Sequence, residues 1–181
     1  MYGIINKAIE GLVTENFGSE KWDQIKVQSG IKEDRFLSND HYEDATTYQL
    51  IGAASQVLGI SQNEILLAFG KYWILNTGHQ HYGTLMHAGG TSLKEFLLNL
   101  PNFHSRVMLI YPSITPPDFK VFTITDKELH LYYYSTRPGL TYFAEGLIVG
   151  LAESFQETIS VVLLQQRVGE RDPDIFKISW V

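Results

Sequence analysis

Ile5, Ile9, Leu12 and Phe17 recur at helical spacing through the opening segment, which Gly18 ends. A short helix is predicted around residues 22–27, followed by a polar loop over roughly 30–43. Helical patterning returns over 44–58 and again over 61–77, where Ser61 followed by Glu64 makes a capping box. A glycine-rich turn, AGGTS, precedes a second box at Ser92 and Glu95, which opens LKEFLLNLPNFHSRVMLIY. Past PSITPPDF the apolar period drops to two. VFTIT and ELHLYYYST flank a turn-forming DK and read as an antiparallel hairpin. A helix over about 141–157 carries Phe143, Leu147, Leu151 and Phe155, and two strands, ISVVLLQQRV and DIFKISWV, close the chain around the polar loop GERDPD.

Helices first and strands later make an α+β fold. The pattern predicts one domain over residues 1–181, with a helical N-terminal lobe over about 1–60. The remaining helices and a small, about four-stranded antiparallel sheet occupy about 61–181.

Composition narrows the class only slightly. Hydrophobic residues at 44% and charged residues at 19% are ordinary for a soluble globular protein. A net charge of −6 argues against a protein that grips nucleic acid. The sequence contains no cysteine, which removes disulfides, thiolate nucleophiles and Cys-based zinc sites. No signal peptide is read in MYGIINKAIEGL, and Lys71 interrupts the most apolar window well before membrane-spanning length. The expectation is a cytoplasmic protein.

Two features carry chemistry. In LHLYYYSTRPG, alternation puts Leu129, Leu131, Tyr133, Ser135 and Arg137 on one face. The leucines bury the start of that face; a phenol, a hydroxyl and a guanidinium then form a row of donors. Such a row calls for a dense, negative acceptor held partly inside the protein, such as a pair of carboxylates. The second feature is His104, which stands where leucine would be expected in the helical stripe Leu97, Leu100, His104, Val107, Tyr111. A buried imidazole must find a partner. It is either a core histidine bonded to a backbone carbonyl or a ligand to a metal. Pro101, just before it, is expected to bend the helix.

His104, Pro117 within PSITPPDF, and Tyr133-x-Ser135-x-Arg137 followed by a glycine-bearing apolar helix together resemble the H-NOX family. These are the heme-nitric oxide/oxygen binding domains, similar to the heme domain of soluble guanylate cyclase. The resemblance runs through essentially the whole chain, MYGIINKAI and AFGKYW included. It implies heme b, ferrous iron protoporphyrin IX, buried between the two lobes. His104 would be the proximal iron ligand, with Tyr133, Ser135 and Arg137 on the propionates. Pro117 would press on the porphyrin, with Ile5 contributing from the first helix. The resemblance implies a sensor and not an enzyme. Nitric oxide would weaken the bond to His104, its helix would be released, and a separate histidine kinase or cyclic-di-GMP enzyme would respond.

Dioxygen-binding members are similar in placing a tyrosine early in the helix after Y-x-S-x-R. Here the candidates are adjacent, and only one of Tyr142 and Phe143 can point inward. Phe143 shares a face with Gly146, Leu147, Gly150 and Leu151; Tyr142 shares one with Glu145, Val149 and Glu153, a more solvated set. The reading therefore puts Phe143, Leu147 and Trp73 in the distal pocket and favours nitric oxide and carbon monoxide over dioxygen. Tyr142 inside would reverse that choice.

Two other classes stay open. A non-heme organic acid could use the same donor row while His104 remains a core residue. A small hydrolase would need Ser135 or Ser105 joined to a histidine and an aspartate, and the sequence has no nucleophile elbow. His79, His81 and His87 in HQHYGTLMH read as solvated histidines of a polar turn.

Overall fold

The computed structural model describes residues 1–110, 115–169 and 171–181. Tyr111, the residues 112–114 of PSITPPDF and Glu170 of GERDPD lie outside the described residues, as does the side chain of Ile110.

Helices α1 (Gly3–Phe17), α2 (Ser19–Ser29), α3 (Asp44–Leu58) and α4 (Gln62–Tyr72) turn their apolar stripes toward one another. Ile9, Trp22, Ile25, Leu50, Ile65 and Phe69 form the buried cluster of this helical lobe. The stripe read on α1 holds for Ile9 but not for Phe17, which is 47% exposed on the last turn, where the chain reverses through Gly18 at φ 86°. At the start of α4, Ser61 Oγ accepts from the Glu64 N–H at 3.2 Å and Glu64 accepts from the Ser61 N–H at 2.9 Å, so the capping box is complete.

The helix read over 61–77 does not stop there. It widens into a π-helix over Trp73–Gly78 and continues as α5 (His79–His87). The His79 N–H reaches back five residues to the Ile74 carbonyl, the bond that defines the wider turn. HQHYGTLMH is therefore helical rather than a polar turn: its glycine and polar residues weakened the helical period, yet Met86 is buried on its inner side. The next helix is also interrupted. Asn99 separates α6 (Leu93–Leu98) from α7 (Leu100–Ile110), with Pro101 in the first turn of α7, where its missing N–H costs nothing. The Ser92 box is half made, since the Glu95 carboxylate accepts from Thr91 instead of Ser92.

Strands β1 (Asp118–Thr125), β2 (Glu128–Tyr134), β3 (Ile159–Gln165) and β4 (Asp174–Trp180) form an antiparallel sheet in the order β1-β2-β4-β3. Helix α8 (Thr141–Ser154) lies between the two hairpins in sequence. Leu129, Leu131, Phe176 and Ile178 point to the inner face and, with Leu93, Phe96 and Leu97, build the second buried cluster. The four-stranded sheet and the helical lobe give the α+β fold read from the pattern.

The two clusters are bridged by α4 and α8, which touch backbone to backbone. A Cβ on Gly70 would overlap the Phe143 carbonyl oxygen and stand 2.7 Å from the Leu147 nitrogen. One on Gly146 would overlap the Leu67 carbonyl oxygen, and one on Gly150 would stand 3.0 Å from Ile74 Cβ. Glycine spacing in α8 thus serves helix packing. Lys71 and Glu153 close the same seam at the surface with an ion pair at 2.6 Å.

Candidate functional site

A cavity of about 490 Å³ lies between the two clusters, within the usual size of a ligand pocket. Its lining includes Ile5, Trp73, His104, Pro117, Tyr133, Ser135, Arg137, Phe143 and Leu147, contributed by α1, the π-helix, α7, the approach to β1, β2 and its following loop, and α8. The residues singled out in the sequence are thus gathered around one space, with one exception. Tyr142 does not line the cavity. It is half-buried against the helical lobe's cluster, not on the solvated face expected of it, because α8 packs so closely on α4 that its neighbouring side chains are also covered.

His104 is held by aromatic contacts. Its ring stacks on Phe119 of β1, with centroids 5.3 Å apart and planes 8° from parallel, and meets Phe103 edge-on at 5.6 Å. No hydrogen bond to its ring nitrogens is made among the described residues, so the carbonyl-bonded core histidine is not the arrangement found there. Burial holds its pKa down to about 4, opposed by the charge of Asp118. The imidazole is therefore neutral near pH 7, the form that can donate an electron pair.

In the heme-free chain the unfolded state takes up a proton below the ordinary value of 6.5, while the folded state refuses it down to about 4. Stability is therefore lost as pH falls across that window. The lowered carboxylates Asp44, Glu64 and Glu95 act below their ordinary values, overlapping only the acid end of that window, and a His104→Leu variant keeps their contribution. The unfolding midpoint of the heme-free chain should fall more steeply between these two pH values than that of a His104→Leu variant. Parallel profiles would remove His104 as the source.

The donor row runs off the end of β2. Tyr133 is 4% exposed, and burial raises its phenol pKa, with the hydrogen bond to Ser135 acting the other way; it stays a protonated donor. The Arg137 N–H donates to Ser135 Oγ at 3.1 Å. The Arg137 guanidinium donates from Nε to Asp44 Oδ2 at 2.8 Å and from Nη1 to the Thr115 carbonyl at 3.1 Å. Asp44 is the acidic residue in the first turn of α3. Burial works against its charge, but hydrogen bonds from the Met1 ammonium and Arg137 outweigh that and lower its pKa. Tyr48, one turn further along α3, donates to the Pro138 carbonyl at 2.9 Å and also lines the cavity. Neither residue carries a sequence signal of its role, because both act across a distance of about ninety residues.

Elsewhere in the lining, Phe143 packs on Phe69 with centroids 4.8 Å apart, and Trp73 meets Phe69 edge-on at 6.5 Å. Of the histidines of α5, His79 and His87 lie with ring centroids 6.5 Å apart. His79 shares a hydrogen bond at 2.7 Å with Ser154 Oγ, and no cluster of three or more metal-ligating side chains occurs among the described residues. Nor, among them, is any helix long and apolar enough to cross a membrane.

Comparison with known proteins gives the same family from three directions. A family profile described as Haem-NO-binding matches residues 2–163. Soluble guanylate cyclase gcy-35 of Caenorhabditis elegans is 29% identical over 173 residues, which cover 94% of this chain and 25% of that protein. The guanylate cyclase soluble subunit beta-2 of Rattus norvegicus is 30% identical over 120 residues, 63% of this chain and 18% of that protein. The chain spans about a quarter of the length of the curated relatives it matches. Among solved structures, the unliganded Fe(II) H-NOX protein from K. algicida superposes with a TM-score of 0.87 at 26% identity, covering 100% of this chain and 97% of that one. The H-NOX protein from S. oneidensis in the Fe(II)NO ligation state shares the fold, with a TM-score of 0.88 at 21% identity over 100% of this chain and 99% of that one. With a profile that runs from the first helix into the third strand, the chain belongs to the Haem-NO-binding family, the H-NOX domains, whose cofactor is heme.

Proposed function

We propose that this domain senses nitric oxide and carbon monoxide at a five-coordinate ferrous heme held by His104, discriminates against dioxygen, and signals to an effector protein. The residues present fit the cofactor. A neutral imidazole without a hydrogen-bond partner among the described residues faces a mostly apolar cavity, and a phenol, a hydroxyl and a guanidinium line it as well. Heme, held by His104 and by Tyr133, Ser135 and Arg137, would supply an iron able to bind a diatomic gas.

The observation that carries the choice of gas is the composition of one wall. Every residue that α4, the π-helix and α8 contribute to the cavity lacks a hydroxyl, Phe143 and Leu147 included, and only Trp73 has a polar hydrogen. Such a wall offers a bound gas one donor at most, the Trp73 indole, and the polar support that favours dioxygen is correspondingly slight.

Transmission is a property of the chain's own contacts. His104 sits on a short helix separated from α6 at Asn99 and stacked on β1, so displacement of its ring moves α7 and is felt at Phe119. At the other end, Arg137 joins the loop after β2 to α3 through Asp44, and to the approach to Pro117 through Thr115. A shift on either side of the cavity is thus passed to the helical lobe, as a two-state element requires. The output belongs to an effector, with a histidine kinase or a cyclic-di-GMP enzyme as the proposed kind.

The test is an absorption spectrum of the reduced, purified protein under argon, then air, then nitric oxide. A ferrous spectrum unchanged by brief exposure to air, with a blue-shifted five-coordinate band under nitric oxide, is expected. A stable oxy spectrum in air would overturn the choice of gas. The absence of any heme band after reconstitution would leave the pocket to an organic acid.

A further inference from the structure

We infer that Arg167, anchored by Asp174, is a positioning residue for the donor row, fixing the loop from Ser135 to Arg137 so that it turns only donors toward a carboxylate-bearing cofactor. This rests on the heme reading above. Neither residue lines the cavity. Asp174 opens β4 opposite Tyr133 of β2 and is fully buried at 0% exposure. A buried carboxylate needs its oxygens satisfied, and both are. Oδ2 accepts from Thr141 Oγ1 at 2.9 Å, at the start of α8, and Oδ1 accepts from the Arg167 backbone N–H at 2.8 Å. The backbone of Arg167 is thereby pinned beside the end of β2.

From that anchor, Arg167 Nη1 donates to the carbonyl oxygen of Ser135 and, at 3.5 Å, to that of Arg137. These two carbonyls belong to the residues whose side chains serve as donors. A carbonyl turned into the cavity would set a partial negative charge against a carboxylate. Paired with a cation outside the cavity, both are held away from it, and the Ser135 hydroxyl and Arg137 guanidinium are left to face inward. Arginine suits the task because its planar fork reaches more than one acceptor and keeps its charge when partly buried. Arg167 also adds positive potential at this end, being close enough to act on the Tyr48 hydroxyl together with Arg137.

Two readouts test the inference. One is the rate of heme transfer from the loaded protein to excess apomyoglobin. The other is hydrogen exchange at the Arg137 amide in the heme-free full chain, the N–H that donates to Ser135 Oγ. Arg167→Ala is expected to speed both by about tenfold, the scale of a lost charge-assisted hydrogen bond. Arg167→Lys should restore most of each, and Asp172→Ala, which among the described residues removes only the side-chain bond to the Gly169 N–H within the same loop, should change neither. Native rates in Arg167→Ala, or equal acceleration by Asp172→Ala, would overturn the assignment. If the native chain takes up no heme, the proposed function fails. Exchange at Arg137 then decides the positioning role alone: acceleration upholds it and a native rate overturns it.

Discussion

Replacing His104 by glycine is expected to abolish the five-coordinate ferrous heme spectrum, and imidazole added to the medium is expected to restore it. Among the described residues, the only ring contacts of His104 are the stack on Phe119 and the edge contact with Phe103, so its removal leaves a slot between aromatic side chains that free imidazole can enter. The substitution removes a half-buried, neutral ring and no hydrogen bond among the described residues, so the fold should persist while the ligand is lost. The measurement is the Soret band of the reduced protein with and without imidazole, alongside circular dichroism of the same samples. A His104→Gly protein with an unchanged Soret band would end the ligand assignment. A restored band would show that the cavity, and not the covalent attachment of the ring, selects the geometry.

The seam between α4 and α8 should be nearly as sensitive, for a purely steric reason. A single methyl group at Gly146 or Gly70 meets backbone atoms of the partner helix, and backbone cannot rotate away as a side chain can. The helices must separate, and overpacking of this kind costs about 3 kcal/mol. For a domain of this size that corresponds to a fall in melting temperature of roughly 6–12 °C. Gly52→Ala in α3 is the matched control, since its new Cβ would meet only the Gln62 side chain at 3.9 Å. That change should stabilise by about 0.5 kcal/mol through helix propensity. Thermal unfolding of the three variants checks the contrast. Equal melting temperatures for Gly146→Ala and Gly52→Ala would mean that the helices are not in backbone contact.

Gly146 and Gly150 were visible as a spacing, but a spacing does not name the surface it approaches; α4 does, through Gly70. The face of α8 is a similar case. Helical geometry required that one of Tyr142 and Phe143 turn inward, and local polarity favoured Phe143. The cavity is lined by Phe143, and Tyr142 is covered against the helical lobe rather than solvated.

Period and residue chemistry are properties of short windows, and what depends on them could be read directly. The helix-to-strand change after PSITPPDF, the hairpin around Asp126 and Lys127, His104 in a leucine position and the donor row beyond Leu131 are all of this kind. Three features needed the folded chain. A π-helix leaves no mark in a 3.6-residue pattern, so the spacing over 61–77 predicts an ordinary helix where the chain has the wide turn of Trp73–Gly78. Asp44 and Arg137 meet across 93 positions, and Arg167 reaches Ser135 across 32. Such pairings follow from how packed elements bring distant backbone together, and no local pattern encodes them. Residue types in short windows set which groups can do the chemistry; packing sets which of them share a cavity and what holds them there, because burial and hydrogen-bond pairing depend on neighbours in space.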